Sequence, residues 1–353
     1  MGKPFVSVLI DTYNHERFIE QAITSVLEQD FPASGREILV VDDGSTDRTP
    51  EIVRKFEPEV RLLRKENGGQ GSAFNAGIPE CRGEIVAFLD GDDWWAAGKL
   101  NRVAEVLRAS PELGMVGHGT VTVFDDGSTQ TEVLEKGHRF SLRSSEGAEM
   151  FCRRKSFLGT RVTIRRRILE KLLPVPEEIR IEADEFVFTM AAQEEVEVLP
   201  EALLFYRLHQ GNFYSQRGFN EQSVRRKQQS IAHLAEALAV RLKAAGVSPE
   251  AVEIVAKAIR TEADQLRLSV DGGLPWETVK TELAMYRQLH SDAPWTHRMF
   301  KYTTLLPAYF VPPRFYYGVR RRLAENPWYV TARKVIFPVP QPGHVKRTSR
   351  SNA

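Results

Sequence analysis

Three short acidic clusters carry the residues of this 353-residue chain whose types and spacing could do chemistry. The sharpest is Asp90-Gly91-Asp92-Asp93, directly after the apolar run Ile85-Val86-Ala87-Phe88-Leu89. A run of that kind predicts a fully buried strand, and open α/β sheets bind ligands beyond the carboxyl ends of their strands. Carboxylates that close together repel one another unless a cation sits among them. Mg²⁺ or Mn²⁺, held by one or two carboxylates and completed by water and phosphate oxygens, meets that need. Asp42-Asp43-Gly44-Ser45-Thr46-Asp47 follows a second apolar run, Ile38 to Val41, so its carboxylates are expected at the same sheet edge. An Asp there can accept a hydrogen bond from the imide NH of a uracil ring. An Asp-Gly turn with a helix cap at Ser45 or Thr46 is the structural alternative. The third cluster, Glu182-Ala183-Asp184-Glu185, also reads as a helix first turn, where acids favour the macrodipole.

The elements that must position these groups alternate between strand and helix. Val6 to Ile10 reads as a strand, and Glu16 to Glu28 as a helix with Phe18, Ala22, Ile23, Val26 and Leu27 at near-helical spacing. Pro50 to Phe56 follows as a helix with Thr49 as its N-cap, then Val60 to Arg64 as a strand. Gln70 to Ile78 reads as a helix entered through Gly68-Gly69. Such alternation implies a parallel sheet with right-handed crossovers. Beyond it come a helix at Leu100 to Ala109, a strand near Met115 to Val123, and a turn at Asp125 to Ser128. A basic amphipathic helix at Arg165 to Leu173 ends at Pro174 and Pro176, and Asp184 to Ala192 is another helix. Val196 to Tyr206 reads as a helix-to-strand exit. Glu221 to His290 is helical, and its breaks at Gly246 to Pro249 and Gly272 to Pro275 divide it into three helices.

Composition narrows the options. Hydrophobic content of 42% and charged content of 27% are ordinary for a folded globular chain, so global disorder is not expected. Cys81 and Cys152 are the two cysteines, too few for a disulfide scaffold or a cysteine-rich zinc site, and a reducing compartment is the simpler expectation. No secretion signal is evident at the N-terminus, which points to a cytoplasmic protein. The Gly-rich segment Asn67-Gly68-Gly69 to Asn75-Ala76-Gly77 lacks Walker spacing and is no dinucleotide fingerprint, which removes support for nucleoside triphosphate hydrolysis. Its glycines still allow the backbone to approach a nucleotide or a neighbouring strand closely.

Taken in order, Tyr13-Asn14, Asp42-Asp43-Gly44-Ser45, Asn67-Gly68-Gly69 to Asn75-Ala76-Gly77 and Leu89-Asp90-Gly91-Asp92-Asp93-Trp94 resemble the family 2 glycosyltransferases over roughly residues 5 to 215. The resemblance implies the α/β nucleotide-sugar-binding fold called GT-A, with a mostly parallel central sheet followed by a helical region. It implies inverting transfer of a sugar from a nucleotide diphosphate sugar, most simply a UDP sugar, with a divalent metal, Mg²⁺ or Mn²⁺. It places nucleotide contacts at Thr12, Tyr13, Asn14, Asp42, Asn67, Gly68, Gly69, Asn75 and Asp90, with Asp42 on the base and Asp90 near the ribose or metal. Asp92 becomes the metal ligand. Asp11, Phe74 and Ala97 depart from the family's usual Pro, Arg and Pro at those places. Inversion requires a carboxylate that takes the proton of the acceptor hydroxyl as it attacks opposite the leaving diphosphate. Asp184 fits that motif position best, with Glu182 and Glu185 as rivals. Tyr206-Arg207-Leu208-His209-Gln210-Gly211-Asn212 resembles the segment that ends the family's catalytic domain, so His209 is a candidate for the metal shell, with Arg207 and Asn212 ordering the loop over the leaving group.

These readings divide the chain into a catalytic domain at 1–220, a helical region at 221–297 and a basic, aromatic-rich tail at 298–353. From Arg298 onward the chain has eleven Lys or Arg against one acid, Glu325, while the rest carries a net excess of acids. Aromatics interleave with those cations, including Phe300, Tyr309, Phe310, Phe315, Tyr316, Tyr317, Trp328 and Tyr329. A segment of this kind can lie on an anionic membrane surface or pack as a flap on the acidic body. Leu305 to Val311 is too short to span a bilayer. The expected partners are a nucleotide-sugar donor and a glycan or lipid-linked acceptor in surface-polysaccharide or glycolipid synthesis, with no nucleic acid. A nucleotidyltransferase and a non-catalytic nucleotide-sugar-binding scaffold are the rival readings.

Overall fold

The computed structural model describes residues 4–209 and 220–324. Ten strands form one sheet: β1 (Val6–Thr12), β2 (Arg36–Asp42), β3 (Val60–Arg64), β4 (Ile85–Asp90), β5 (Trp94–Trp95), β6 (Leu113–Val123), β7 (Thr129–Glu132), β8 (His138–Phe140), β9 (Thr163–Arg165) and β10 (Glu195–Arg207). The main path runs β3-β2-β1-β4-β9-β6-β10-β5. Its first four strands are parallel, as the strand-helix alternation requires. The other half is mixed. β9 runs antiparallel to both β4 and β6, and β10 returns parallel to β6 over the longest ladder of the sheet. The expected helix-to-strand exit at 196–206 is strand throughout, with register shifts around Leu199 and Ala202 where Pro200 interrupts the ladder.

Six helices precede β10's neighbour α7: α1 (Ile19–Leu27), α2 (Thr49–Arg54), α3 (Gln70–Gly77), α4 (Lys99–Ala109), α5 (Ser145–Arg154) and α6 (Arg166–Leu172), and then α7 (Ala183–Ala191). β1 and β4 are apolar without alternation because helices cover both faces of the sheet. Successive residues of β1 then enter different cores: Leu9 packs with Leu39, Phe74, Phe88 and Phe186, whereas Val8 and Ile10 pack with Ile23, Val26, Leu100 and Leu107. The α2 cap differs from expectation. Asp47 Oδ1 accepts the Thr49 NH at 3.0 Å, leaving the Thr49 hydroxyl to accept from the His15 NH at 2.9 Å.

The predicted breaks separate α8 (Glu221–Ala244), α9 (Pro249–Asp271) and α10 (Trp276–Leu289), and the tail adds α11 (Trp295–Leu305) and α12 (Pro313–Ala324). α8 and α9 bury Ile231, Leu234, Leu238, Val255 and Ile259 in the same core as α7, so this helical pair is continuous with the sheet domain. A smaller cluster joins Leu268 and Val279 to Leu305, Ala308, Tyr316 and Tyr317, which fastens the early tail onto α9 and α10. The tail sequence beyond residue 324, and Asn212, lie outside the described residues.

Candidate active site

Parallel register decides where the site forms. Thr12 pairs with Asp42 and Asp11 with Asp90, so β1, β2 and β4 end at one level and deliver their acidic turns to the same edge. The turns after β1 and β2 are laced together: Asn14 NH donates to Ser45 Oγ at 2.9 Å, and Thr46 NH donates to Asn14 Oδ1 at 2.8 Å. Asn14 adopts a positive φ of 57°, which its short polar side chain tolerates. Beside this edge lies a cavity of about 1020 Å³. Asp11, Thr12, Tyr13, Asn14 and His15 line one side, with Asp43, Asn67, Gly69 and Gln70 next to them. Asp90, Asp92 and His209 form the acidic wall, and Arg180, Glu182, Arg226, Gln229 and His233 close the far side.

Three expected nucleotide contacts, Asp42, Gly68 and Asn75, do not line the cavity. Asp42 is fully buried behind the wall, accepting the Ser45 NH at 3.0 Å and standing 3.2 Å from Arg64 Nε. Its neighbour Asp43 reaches the cavity, because consecutive residues leaving a strand point opposite ways. Asp43 also folds the Gly-rich turn: it accepts from Gly68 NH at 3.0 Å, Gly69 NH at 2.7 Å and Lys65 Nζ at 2.7 Å. Asn75 is a brace, donating to Val175 O at 2.9 Å and accepting from the Val175 NH at 2.7 Å. Gly69 has φ of 88°, and a Cβ there would fall 2.6 Å from the Arg180 carbonyl oxygen, so a side chain would push the turn off the opposite wall.

The Asp90-to-Asp93 carboxylates offer ligand atoms within 4.8 Å of one another. Their environments separate their roles. Asp93 is buried, accepts the Arg207 NH at 2.8 Å, and is held well above the ordinary carboxylate range by burial and by the Asp92 and Asp90 charges. Asp90 accepts the Thr160 hydroxyl at 2.6 Å and is pushed up to about 7 by burial, reinforced by Asp92. Asp11 faces Asp90 across the adjacent strand and is likewise raised by burial and then by the Asp90 charge. Asp92 behaves oppositely. Burial alone would raise it, but the His209 hydrogen bond at 3.1 Å and the nearby His15 ring, 3.8 Å away, hold it below its usual value. His15 is kept in place by Thr12, whose hydroxyl lies 3.2 Å from Nδ1. A Cβ on Gly91 would fall 2.5 Å from Thr12 Oγ1 and 2.9 Å from His15 Nδ1, so this close approach needs glycine. Arg207 secures the return strand by donating to the Asp92 carbonyl at 3.0 Å and stacking 4.4 Å from the Trp94 ring.

The acids at the start of α7 are resolved by their partners. Glu182 lines the cavity in the left-handed region, φ 62°, with Lys227 Nζ 2.7 Å away. Glu185 is buried against Lys155 Nζ at 3.0 Å, and Lys155 also reaches Glu262 at 3.3 Å. Asp184 has no ion-pair partner among the described residues. Burial, then the Glu182 and Asp90 charges, hold its carboxyl well above the ordinary range, and Gln70 Oε1 accepts its backbone NH at 3.3 Å. It does not itself line the cavity, and its carboxylate lies 3.3 Å from where a Cβ on Gly159 would stand. Sequence reading missed Asp11, His15, Asp43 and the α8 residues Arg226, Gln229 and His233. Asp11 was visible only as a departure from a family pattern, and His15 only by its place three residues after Thr12.

The chain is similar in sequence and in fold to several known proteins. Residues 7–173 match the model of glycosyl transferase family 2. A glycosyltransferase of Nostoc sp. is 35% identical over 218 residues, covering 59% of this chain and 66% of its own length. TarS of Staphylococcus aureus, a poly(ribitol-phosphate) β-N-acetylglucosaminyltransferase, is 40% identical over 92 residues, 25% of this chain and 16% of TarS. The crystal structure of TarS residues 1–349 with UDP-GlcNAc superposes with a TM-score of 0.58 at 19% identity, over 92% of each chain, and so shares the fold. A Pyrobaculum calidifontis mannosyltransferase in complex with GDP-Man and Mn²⁺ superposes with a TM-score of 0.50 at 20% identity, over 92% of this chain and 89% of that one. Residues 7–173 thus match a family 2 glycosyltransferase domain, and the chain shares the α/β fold of these solved structures.

Proposed function

We propose that this family 2 domain transfers a sugar, with inversion, from a UDP-linked donor to an acceptor hydroxyl in surface-polysaccharide or glycolipid synthesis. The observation that carries the reading is the meeting, at one cavity, of Asp90 and Asp92 beside His209 with the carboxyl group of Asp184 nearby. Donor sets of carboxylate oxygens with one imidazole suit Mn²⁺ or Mg²⁺, and the burial and Asp92 charge that raise Asp90 fit a cation there. Asp92 and His209 would hold the ion, which when bound neutralises diphosphate charge as the leaving group departs. Thr12, Tyr13, Asn14, Asp43, Asn67 and Gly69 would cradle the nucleoside, with Asp43 rather than Asp42 nearest to the base.

Asp184 serves as the base. Its raised affinity for a proton lets it accept one from the acceptor hydroxyl, while Lys227 and Lys155 pair with Glu182 and Glu185. Arg226, Gln229 and His233, three and four residues apart on α8, face the same cavity and belong to the acceptor side. Residues 1–220 form the catalytic unit, 221–297 its helical support and 298–353 a tail, and the enzyme works in the cytoplasm, peripheral to the membrane. TarS and the mannosyltransferase, by the ligands named with them, support nucleotide-sugar use over nucleotidyl transfer. A scaffold would have no need of a half-buried acid that has no ion-pair partner among the described residues, beside the acidic wall.

Calorimetric titration with UDP tests the reading. Mn²⁺ is expected to tighten UDP binding to the unaltered protein and to have little effect on Asp92→Ala. Equal affinity in Mn²⁺ and EDTA would remove the metal assignment, and tighter binding of GDP or dTDP would remove the uridine assignment.

A further inference from the structure

The early tail does two things at once. On its inner side, Tyr316 and Tyr317 are buried, and the Glu282 carboxylate on α10 accepts from Lys301 at 2.6 Å and from Arg320 at 2.8 Å. Its outer side is apolar and uncovered among the described residues. Along α12, Phe315, Val319 and Leu323 repeat at four-residue intervals and are 66%, 36% and 37% exposed. Along α11 and the turn after it, Trp295, Met299, Leu306 and Phe310 are exposed, Phe310 by 80%. The α9–α10 turn adds Leu274 and Trp276, with the Trp276 ring 4.8 Å from that of Tyr309. Arg314 borders the same turn, its side chain within 3.6 Å of where a Cβ on Gly272 would stand. A water-exposed helix seldom leaves a regular apolar stripe bare, and a patch of this kind marks an interaction surface.

Charge identifies the occupant. From Ala293 to Ala324 there is no acid; Lys301 and Arg320 turn inward to Glu282, and Arg298, Arg314, Arg321 and Arg322 are the other cations of the stretch. A symmetric contact with a second copy would bring these cations face to face, which opposes self-association through this surface. A surface of negative charge over hydrocarbon satisfies both features: aromatic and aliphatic side chains enter the headgroup boundary while arginines meet lipid phosphates. No described helix is long and apolar enough to cross a membrane, so the contact is peripheral. We infer that the α9–α10 turn, α11 and α12 form a docking face for anionic lipid bilayers, centred on Trp276, Phe310 and Phe315. The inference builds on the proposed membrane placement and names the surface that achieves it. Because Tyr316, Tyr317 and Glu282 fasten this face to α9 and α10, docking would hold the cavity at a fixed attitude to the bilayer, where a lipid-linked acceptor is reached.

Flotation of the full chain with phosphatidylcholine vesicles, with and without 30 mol% phosphatidylglycerol (roughly one anionic lipid in three, an ample surface charge), tests it. Binding is expected to the anionic vesicles and to weaken in high salt. The full-chain variant carrying Trp276→Ser, Phe310→Ser and Phe315→Ser is expected to bind at least tenfold more weakly, with unchanged UDP affinity. Phe310→Trp with Phe315→Trp is expected to retain binding, which separates a lost lipid contact from a lost fold. Unchanged flotation of the serine variant overturns the inference. So does a shift of that variant to a smaller assembly in sedimentation without loss of flotation, since the face would then join copies of the chain. A full-chain variant with Trp328, Tyr329, Arg333 and Lys334 all changed to Ser should keep most of its binding; if it alone loses it, the terminal segment is the lipid contact. Failure of the unaltered protein to float removes the membrane placement as well, while UDP binding continues to report on the catalytic reading independently.

Discussion

Replacing Asp90 by Asn should stabilise the protein at alkaline pH and leave it almost unchanged at acid pH. The carboxyl group of Asp90 is pushed up to about 7, by burial first and by the Asp92 charge second. In the unfolded chain an Asp titrates near 3.9, so the difference is about 3 pH units, or roughly 4 kcal/mol at most. The sign follows from proton binding: the folded state holds this proton more tightly, so its stabilising contribution is complete below about pH 4 and is lost as pH rises through about 7. Asn keeps the neutral form at every pH. Its side-chain oxygen can still accept the Thr160 hydroxyl, and its NH₂ can donate to Asp11. In EDTA at pH 8 the variant should therefore gain up to ~4 kcal/mol, a rise in Tm of roughly 4–8 °C for a chain of this size. At pH 4.5 the gain should fall to a small fraction of that. Differential scanning calorimetry at the two pH values measures it directly, and Mn²⁺ should narrow the gap at pH 8 by neutralising the wild-type carboxylates. An equal Tm change at both pH values, or a lower Tm for Asp90→Asn at pH 8, would refute the reasoning.

Asp184→Asn should lower the transfer rate about 10²- to 10⁴-fold, the range for loss of a general base, with UDP affinity within about twofold. Product formation from a radiolabelled UDP sugar reads the first and calorimetry the second; retained activity moves the role to Glu182. Glu282→Gln should lower stability at neutral pH by about 2–3 kcal/mol, because burial would otherwise raise this carboxyl and the hydrogen bonds and charges of Arg320 and Lys301 hold it down to about 2. That contribution is present above about pH 4.5 and disappears as pH falls toward 2, so the Tm deficit of the variant should shrink over that window in a pH series.

Much of the catalytic half was legible from local pattern. The runs at Val6, Ile38 and Ile85 are apolar without alternation because both sheet faces are covered, and that same property makes them recognisable as central strands. Gly246 and Gly272 marked helix ends because a chain leaving a helix needs a conformation that glycine adopts freely. β10 was misread because the helix-forming run Glu201-Ala202-Leu203-Leu204 and the interruption at Pro200 hide the strand pattern, and only the ten-residue pairing with β6 makes the whole segment strand. The tail was readable as basic and aromatic, but not which rings turn inward.

Residue order alone thus determined that acids would gather at the carboxyl ends of parallel strands, since strand polarity and crossover handedness leave no other edge for those turns. The tertiary structure decided which acid meets which partner. Asp42 and Asp43 are adjacent in sequence, yet one is sealed behind Arg64 and the other meets the cavity, because a strand alternates its side chains between faces. Glu182, Asp184 and Glu185 are equivalent as a sequence cluster, and they become distinct only when Lys227 arrives from α8 and Lys155 from the end of α5 to pair with the outer two. Those lysines lie 45 and 30 residues away along the chain, respectively, and charge at such separations acts only after folding has brought it within a few ångströms.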